Sequence, residues 1–179
     1  LLPQALKLLK ERNPRVQVAV AVDSSKTMVE QLRAGELDIV VGRIPDTAAA
    51  AELEFDPLPD EPHRLVVRAG HPWLAQPQPG LADLARAAWI LPPPGRLRDQ
   101  LMALFIANGL EQPFDIIETI SLPLVPRLLL DSDRVAALAP ELVQPMLDDG
   151  TLALLPLDVK LHAGVYGIIT RRNHHLSPS

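Results

Sequence analysis

Residues 16–42 read VQVAVAVDSSKTMVEQLRAGELDIVVG, and the order of elements in this stretch decides the fold class. Val16, Val18, Val20 and Val22 alternate with Gln17, Ala19 and Ala21, the period of a strand. Ser24, Ser25 and Thr27 offer helix N-caps, and Thr27 with Glu30 has the spacing of a capping box. Met28, Val29 and Leu32 form the apolar stripe of a helix that Gly35 closes. Residues 37–41 are a short apolar run, which reads as a buried parallel strand. Upstream, Leu2, Ala5, Leu6 and Leu9 recur at helical spacing behind Pro3, and Asn13-Pro14 ends that helix. The opening of the chain therefore reads helix, strand, helix, strand.

The alternation continues downstream. Residues 47–62 are rich in Ala, Pro and acid and read as a loop with one short strand at 52–56. Residues 64–68 are a strand, and Ala69-Gly70-His71-Pro72 turns the chain. A second series follows: helix 81–86, strand 89–91, the rigid turn Pro92-Pro93-Pro94-Gly95, and a helix marked by Leu97, Leu101, Leu104 and Phe105. Strand 114–118, a helix capped by Ser121, strand 135–138, a helix from Pro140 to Gly150, and strands 151–155 and 165–170 complete it. Strands alternating with helices at this spacing predict α/β architecture: two Rossmann-like lobes with mostly parallel sheets, joined by two crossover strands. The sequence places lobe I at 1–70 plus 152–179 and lobe II at 71–151, with hinges near 69–72 and 150–155.

Composition narrows the function classes. Hydrophobic residues make up 47% of 179, enough for a packed core. With no cysteine, disulfides, thiolate metal sites and cysteine nucleophiles are excluded. The net charge of −5 opposes nonspecific attraction to a nucleic-acid backbone, so contact with DNA would fall to another segment. No apolar run has the length of a membrane span. The chain opens Leu1-Leu2-Pro3 with neither an initiator Met nor a secretory pattern, and so reads as a piece of a longer protein. The five histidines show no metal-ligand spacing, and nucleophile-elbow, Walker and dinucleotide motifs are missing, so neither cofactor, metal nor catalytic group is expected.

In open α/β sheets ligands sit beyond the carboxyl ends of parallel strands, where helix N-termini present free N–H groups that favour anions. Three such starts occur here: Ser24-Ser25, Pro94-Gly95-Arg96, and Thr119 to Ser121. Arg43 follows a strand end and reaches the same region. Each residue has a plainer reading. The serines suit capping, Arg43 suits a solvated surface, and Arg96 and Arg98 suit ion pairs with Asp99 or another acid. Pro94 and Gly95 belong first to a turn. Cations in a first helical turn nevertheless favour a nearby anion.

LRAGELDIVVG at 32–42 resembles a signature of LysR-type effector domains. PQALKLLKERNPRVQV (3–18), RLVVRAGHPWL (64–74), VAALAPELVQPMLDDGTLALLPL (135–157) and RRNHHLSPS (171–179) resemble that family in the same order. The run LPLVPRLLLDSDRVAALAPELV is closest to the subgroup regulating galactose-binding proteins and protocatechuate catabolism. The resemblance implies a type 2 periplasmic-binding-protein-like fold that senses a small metabolite in the cytoplasm; the three helix starts and Arg43 favour a small organic anion, while the subgroup also permits a sugar or sugar acid. It also implies a further strand and a DNA-binding winged helix-turn-helix ahead of Leu1, and a final helix starting at 171–179. DNA contact would run only through that missing domain. The apolar helices carrying Leu2, Leu6 and Leu9 and Leu124 and Leu128 are expected to build a two-fold antiparallel homodimer, and a homotetramer in the full-length protein. An extracytoplasmic solute-binding protein shares the fold logic and stands as the alternative; an enzyme on the same scaffold stands third.

Overall fold

A computed structural model describes residues 2–43, 52–59, 62–75, 79–157, 159, 161–162 and 164–172. The chain divides into two units, one of Leu1–Asp56 with Gly167–Ser179 and one of Pro57–Tyr166.

The first unit opens with α1 (Leu2–Arg12), which buries none of its residues. Lys10 and Arg12 sit in its last turn, where cations complement the helix dipole. Lys10 Nζ also donates to the carbonyls of Pro14 and Val16, both at 2.7 Å, and so fixes the exit from the helix. The alternating run 16–22 does not become a strand. It joins neither sheet, and Val18, Val20 and Val22 stay exposed. Alternation marks a chain able to pair, but a strand exists only where a neighbour completes its ladder. No such neighbour is present among the described residues.

Helix α2 (Ser25–Ala34) starts as its cap chemistry dictates, with Ser24 rather than Thr27 as N-cap. Thr27 lies in the first turn and donates its N–H to Ser24 Oγ at 3.2 Å. Gly35 ends the helix at φ 79°, a left-handed conformation that side-chain-bearing residues resist. Strand β1 (Val40–Gly42) pairs antiparallel with β8 (Gly167–Arg171), and β2 (Leu53–Pro57) flanks β8 on its other side. The buried parallel strand expected at 37–41 is therefore a half-buried antiparallel edge. Val40 and Ile169 face the core as register partners, whereas Val41 and Ile168 face out. Val29, Leu32, Val40, Leu53 and Ile169 make the core of this unit. Gly167 is required there, because a Cβ would overlap the Asp56 carbonyl and the Phe55 ring.

The second unit holds a five-stranded sheet of order β5-β4-β6-β3-β7. Its elements are β3 (Arg64–Arg68), α3 (Leu81–Ala85), β4 (Trp89–Leu91), α4 (Arg96–Ala107), β5 (Ile116–Glu118), α5 (Leu124–Leu130), β6 (Val135–Leu138), α6 (Gln144–Asp148) and β7 (Leu152–Leu154). Strands β5, β4 and β6 are parallel, and β3 runs antiparallel to both β6 and β7. The α/β class holds, but the sheets are mixed rather than mostly parallel. Apolar residues cover both faces, as expected for strands such as RLVVR and WIL. Leu65, Val67, Trp89, Leu91, Val135 and Ala137 pack with Leu84, Leu97, Leu101 and Phe105 of α3 and α4. Val66, Ile90 and Ala136 face the other way, onto Val125, Leu129, Val143 and Leu152. Trp89 is fully enclosed, donates Nε1–H to the Leu84 carbonyl at 2.9 Å, and meets Phe105 edge-on.

Strands β3 and β7 lie in this unit, where their ladders run to β6 and to each other, and the chain passes between the two compact units at Asp56/Pro57 and Tyr166/Gly167. Two expectations shift here. The helix after Ser121 starts at Leu124, and it is the Ser121 carbonyl, not its hydroxyl, that takes the N–H groups of Leu124 and Val125. The helix expected from Pro140 is split into a 3-10 turn, Pro140–Leu142, and α6, with Pro145 near the start of the latter. Of the expected final helix, Arg171 ends β8 and residues 173–179 lie outside the described residues, as do residues 47–51 and 60–61 of the expected loop.

Candidate functional site

In the first unit the structure brings Ser24, Ser25 and Arg43 together at the start of α2. Ser24 Oγ accepts the Thr27 N–H and lies 2.8 Å from the Thr27 hydroxyl. Its own N–H is held by Asp23 Oδ1 at 2.6 Å. Half-buried Ser25 reaches across to β1, where its Oγ accepts the Arg43 N–H at 3.3 Å. Gly42 permits that approach: a Cβ there would lie 3.2 Å from Ser25 Oγ. The capping reading of Ser24 is therefore correct, and Ser25 joins helix start to strand end. With Thr27 satisfied by Ser24, the amides of Ser25 and Lys26 have no intrahelical acceptor. The first turn carries no acid, and exposed Lys26 adds a positive charge. Lys26 escaped the sequence reading, although a cation in a first helical turn is the signal already used for Arg96.

The second unit gathers the other candidates at one edge of its sheet. Strands β4 and β5 are parallel, so the segments leaving them emerge on the same side. Pro94 and Gly95 lead into α4 with Gly95 as N-cap, in extended backbone and without a side-chain acceptor. Arg96 is the first residue of α4, and its stem lies over Gly164, where a Cβ would come within 3.0 Å of Arg96 Cδ. Thr119 continues the β4–β5 ladder, donating its N–H to Leu91 O at 3.0 Å, while its Oγ1 accepts the Ser121 N–H at 3.0 Å. Ser121 is exposed. Arg98 pairs with Glu118 at 2.6 Å rather than with Asp99, tying the start of α4 to the end of β5. This arrangement of backbone amides, hydroxyls and guanidinium groups suits recognition of an oxyanion.

Elsewhere in this unit, His71 is buried at the turn after β3. Its Nδ1 accepts the Trp73 N–H at 3.1 Å, which leaves Nε2–H to donate to the Asp133 carbonyl at 3.2 Å. Burial, with a smaller contribution from Arg68, holds its pKa below the ordinary 6.5, against the opposing pull of Asp133. Of the residues expected to form a dimer interface, Leu2 and Leu124 are exposed, whereas Leu6 and Leu9 are half-buried. Leu128 is half-buried and packs against the second core cluster. No helix among the described residues is long and apolar enough to cross a membrane.

Comparison with known proteins places this architecture. Residues 1–179 match the family model for the LysR substrate binding domain. The HTH-type transcriptional regulator GbpR of Azospirillum brasilense is 33% identical over 172 residues, covering 95% of this chain and 50% of that protein. GalR of Pseudomonas putida KT2440 is 29% identical, covering 100% and 45%. PcaQ of Agrobacterium fabrum is 31% identical, covering 96% and 55%. These regulators match the subgroup suggested by the sequence, and the chain spans about half the length of the curated relatives it matches. Among solved structures, the CcmR regulatory domain of Synechocystis PCC6803 in complex with 2-PG superposes with a TM-score of 0.77 at 16% identity, covering 99% of this chain and 84% of that one. The Pseudomonas aeruginosa protein PA01, described as a LysR-family regulator, gives a TM-score of 0.75 at 18% identity, covering 99% and 62%. The match runs the length of the chain and the fold agrees with it, so this chain belongs to the LysR substrate-binding-domain family.

Proposed function

We propose that this chain is the effector-binding domain of a LysR-type transcriptional regulator acting in the cytoplasm, and that its effector is a small organic anion. The observation that carries the ligand class is the start of α2. There two serines and two amides without an intrahelical acceptor meet the Arg43 backbone where the dipole is positive, and the charge of Lys26 offsets that of Asp23. Ser24, Ser25 and Arg43 form a candidate patch in the first unit; Pro94, Gly95, Arg96, Thr119 and Ser121 form a second candidate patch in the other. An effector that binds one state of the regulator better than another shifts the balance between them, and that bias is the signal. Recognition of a small molecule agrees with CcmR, whose regulatory domain was solved with 2-PG bound.

Self-association belongs to the same proposal. The apolar side chains of α1, exposed Leu2 with half-buried Leu6 and Leu9, are paired with Leu124 and Leu128 of a second copy in a two-fold dimer, doubled to a tetramer in the whole protein. DNA is contacted through a winged helix-turn-helix outside this chain, in line with the HTH-type relatives. Isothermal calorimetry against aliphatic acids, aromatic acids and neutral sugars tests the ligand class. Saturable binding of one acid, lost in Ser25→Ala, is expected; binding confined to neutral sugars would overturn it.

A further inference from the structure

The α4–β5 connection carries an anomaly. The chain has three phenylalanines. Phe105 is fully enclosed and Phe55 packs against the core of the first unit, yet Phe114 is 91% exposed. An isolated exposed aromatic needs no explanation, but this one forms one bank of a groove. Ala82 and Ala85 of α3, Leu110, and the charged pair Arg86 and Glu111 line the rest. The groove measures about 270 Å³, below the roughly 300 Å³ at which pockets for drug-sized molecules begin. It suits one inserted ring better than a free ligand. Among the described residues neither Arg86 nor Glu111 makes an ion pair, although both line this groove.

We propose that this patch is an isologous contact, in which Phe114 of one copy enters the groove beside Phe114 of a second copy. A two-fold contact needs a surface complementary to itself, so that whatever one copy inserts the other also accepts. The patch meets that condition twice over: it pairs an apolar protrusion with an apolar groove, and a cation with an anion. Across the two-fold axis Arg86 of each copy faces Glu111 of the other, and the two rings pack against each other, an arrangement aromatic pairs favour. The patch is built at the amino-terminal side of β5, where the Asp115 carbonyl takes the Trp89 N–H. Thr119 and Ser121 lie at the opposite end of that strand. Contact here and ligand binding there are therefore compatible. The contact is also separate from the α1 and α5 leucines, so one chain carries two self-association surfaces, the requirement for closed assemblies beyond a dimer. The contact is weak on its own, so it is populated at high chain concentration, and it is reinforced when copies are already held together.

Sedimentation velocity across a concentration series tests this without any ligand, and so independently of the effector assignment. The background is the chain carrying Leu2→Glu and Leu124→Glu, both exposed positions, which removes the other proposed interface. A reversible dimer is expected, its dissociation constant raised about tenfold or more by Phe114→Ala, as for a central aromatic anchor. Arg86→Glu alone weakens the dimer by placing like charges across the axis, and adding Glu111→Arg restores it. Circular dichroism melting confirms that each variant stays folded. A strict monomer at millimolar concentration, or a dimer indifferent to Phe114→Ala and to the charge exchange, would overturn the proposal; a monomer that instead binds an unrelated protein through this patch does so equally.

Discussion

Ser24 separates a capping role from a ligand role, because two substitutions there move stability and binding in different combinations. Ser24→Ala removes the acceptor of the Thr27 N–H, a bond of 3.2 Å at an exposed helix start. Loss of such a cap costs about 1 kcal/mol, within a range of roughly 0.5–2, or about 2–4 °C in Tm for a chain of this length. Ser24→Asp retains a capping oxygen and adds a charge that the dipole favours by about 0.3–1 kcal/mol, so the fold keeps its stability. An anionic ligand at the α2 amides would then face a like charge about 4 Å away. That costs about 1 kcal/mol at water's dielectric and about 4 at an effective constant of 20, or roughly fivefold to several hundredfold in affinity. Thermal melting with calorimetric titration of the best-binding acid reads both quantities. The expected pattern is lower Tm with weaker binding for Ser24→Ala, and unchanged Tm with binding at least fivefold weaker for Ser24→Asp. If Ser24→Asp bound the acid as tightly as the parent chain, the anion would not be seated at this helix start.

Three further outcomes follow from single groups. Burial depresses the His71 pKa, so as pH falls through about 6.5 the unfolded chain takes up a proton before the folded one does. The stabilisation is complete above that pH and declines below it, down to the folded pKa; the urea midpoint should drop between pH 7.5 and 5.5, and drop less in His71→Asn, which keeps an acceptor for the Trp73 N–H. Arg171 donates to the carbonyls of Leu32 and Leu37 at the end of α2. Arg171→Met keeps the apolar stem but removes both bonds and should cost about 3–6 kcal/mol by chemical denaturation, since hydrogen bonds to charged groups contribute about 1.5–3 each. At Gly35 a Cβ would meet nothing within 4 Å, so Gly35→Ala costs only its left-handed strain, about 1–2 kcal/mol; Gly35→Asn should recover part of the lost Tm.

Helices and their ends were legible because their determinants are local. The stripe Met28, Val29, Leu32 and the stop at Gly35 lie within a few residues of one another, and so do Leu97, Leu101 and Phe105. Strand partners were not. Nothing near Val40 announces that it will pair with Ile169, so β1 read as parallel from its neighbours alone. The run 16–22 fails for the same reason in reverse: alternation records a preference for an extended backbone, while ladder formation depends on residues far along the chain. The unit boundary depends on pairing too, since β3 and β7 are recognisable as strands but their common partnership is not. The candidate residues were read as a set of helix starts, and Ser24 as a cap. What the sequence did not show is that Ser25 reaches β1 and that Ser121 contributes its carbonyl.

The two units differ in how much apolar packing holds them, and this bears on where ligand binding will be felt. Buried clusters of thirteen and seven residues flank the sheet of the second unit. Among the described residues the first unit has one cluster of five, on one face of a three-stranded sheet, with α1 contributing nothing buried. Local opening follows such differences, because segments with few buried contacts open at lower free energy than the global transition. A ligand seated on Ser24, Ser25 and Arg43 would stabilise the weaker unit by about 2.7 kcal/mol when present at a hundred times its Kd. Hydrogen exchange should therefore slow about a hundredfold in α2 and β1 on ligand addition, while β4 and β6, enclosed on both faces, change little because they open only with the whole unit. Equal slowing in both units would mean that the ligand also engages the helix starts after β4 and β5, or that both units open together, and in either case the thin core of the first unit would not be the one element the ligand acts on.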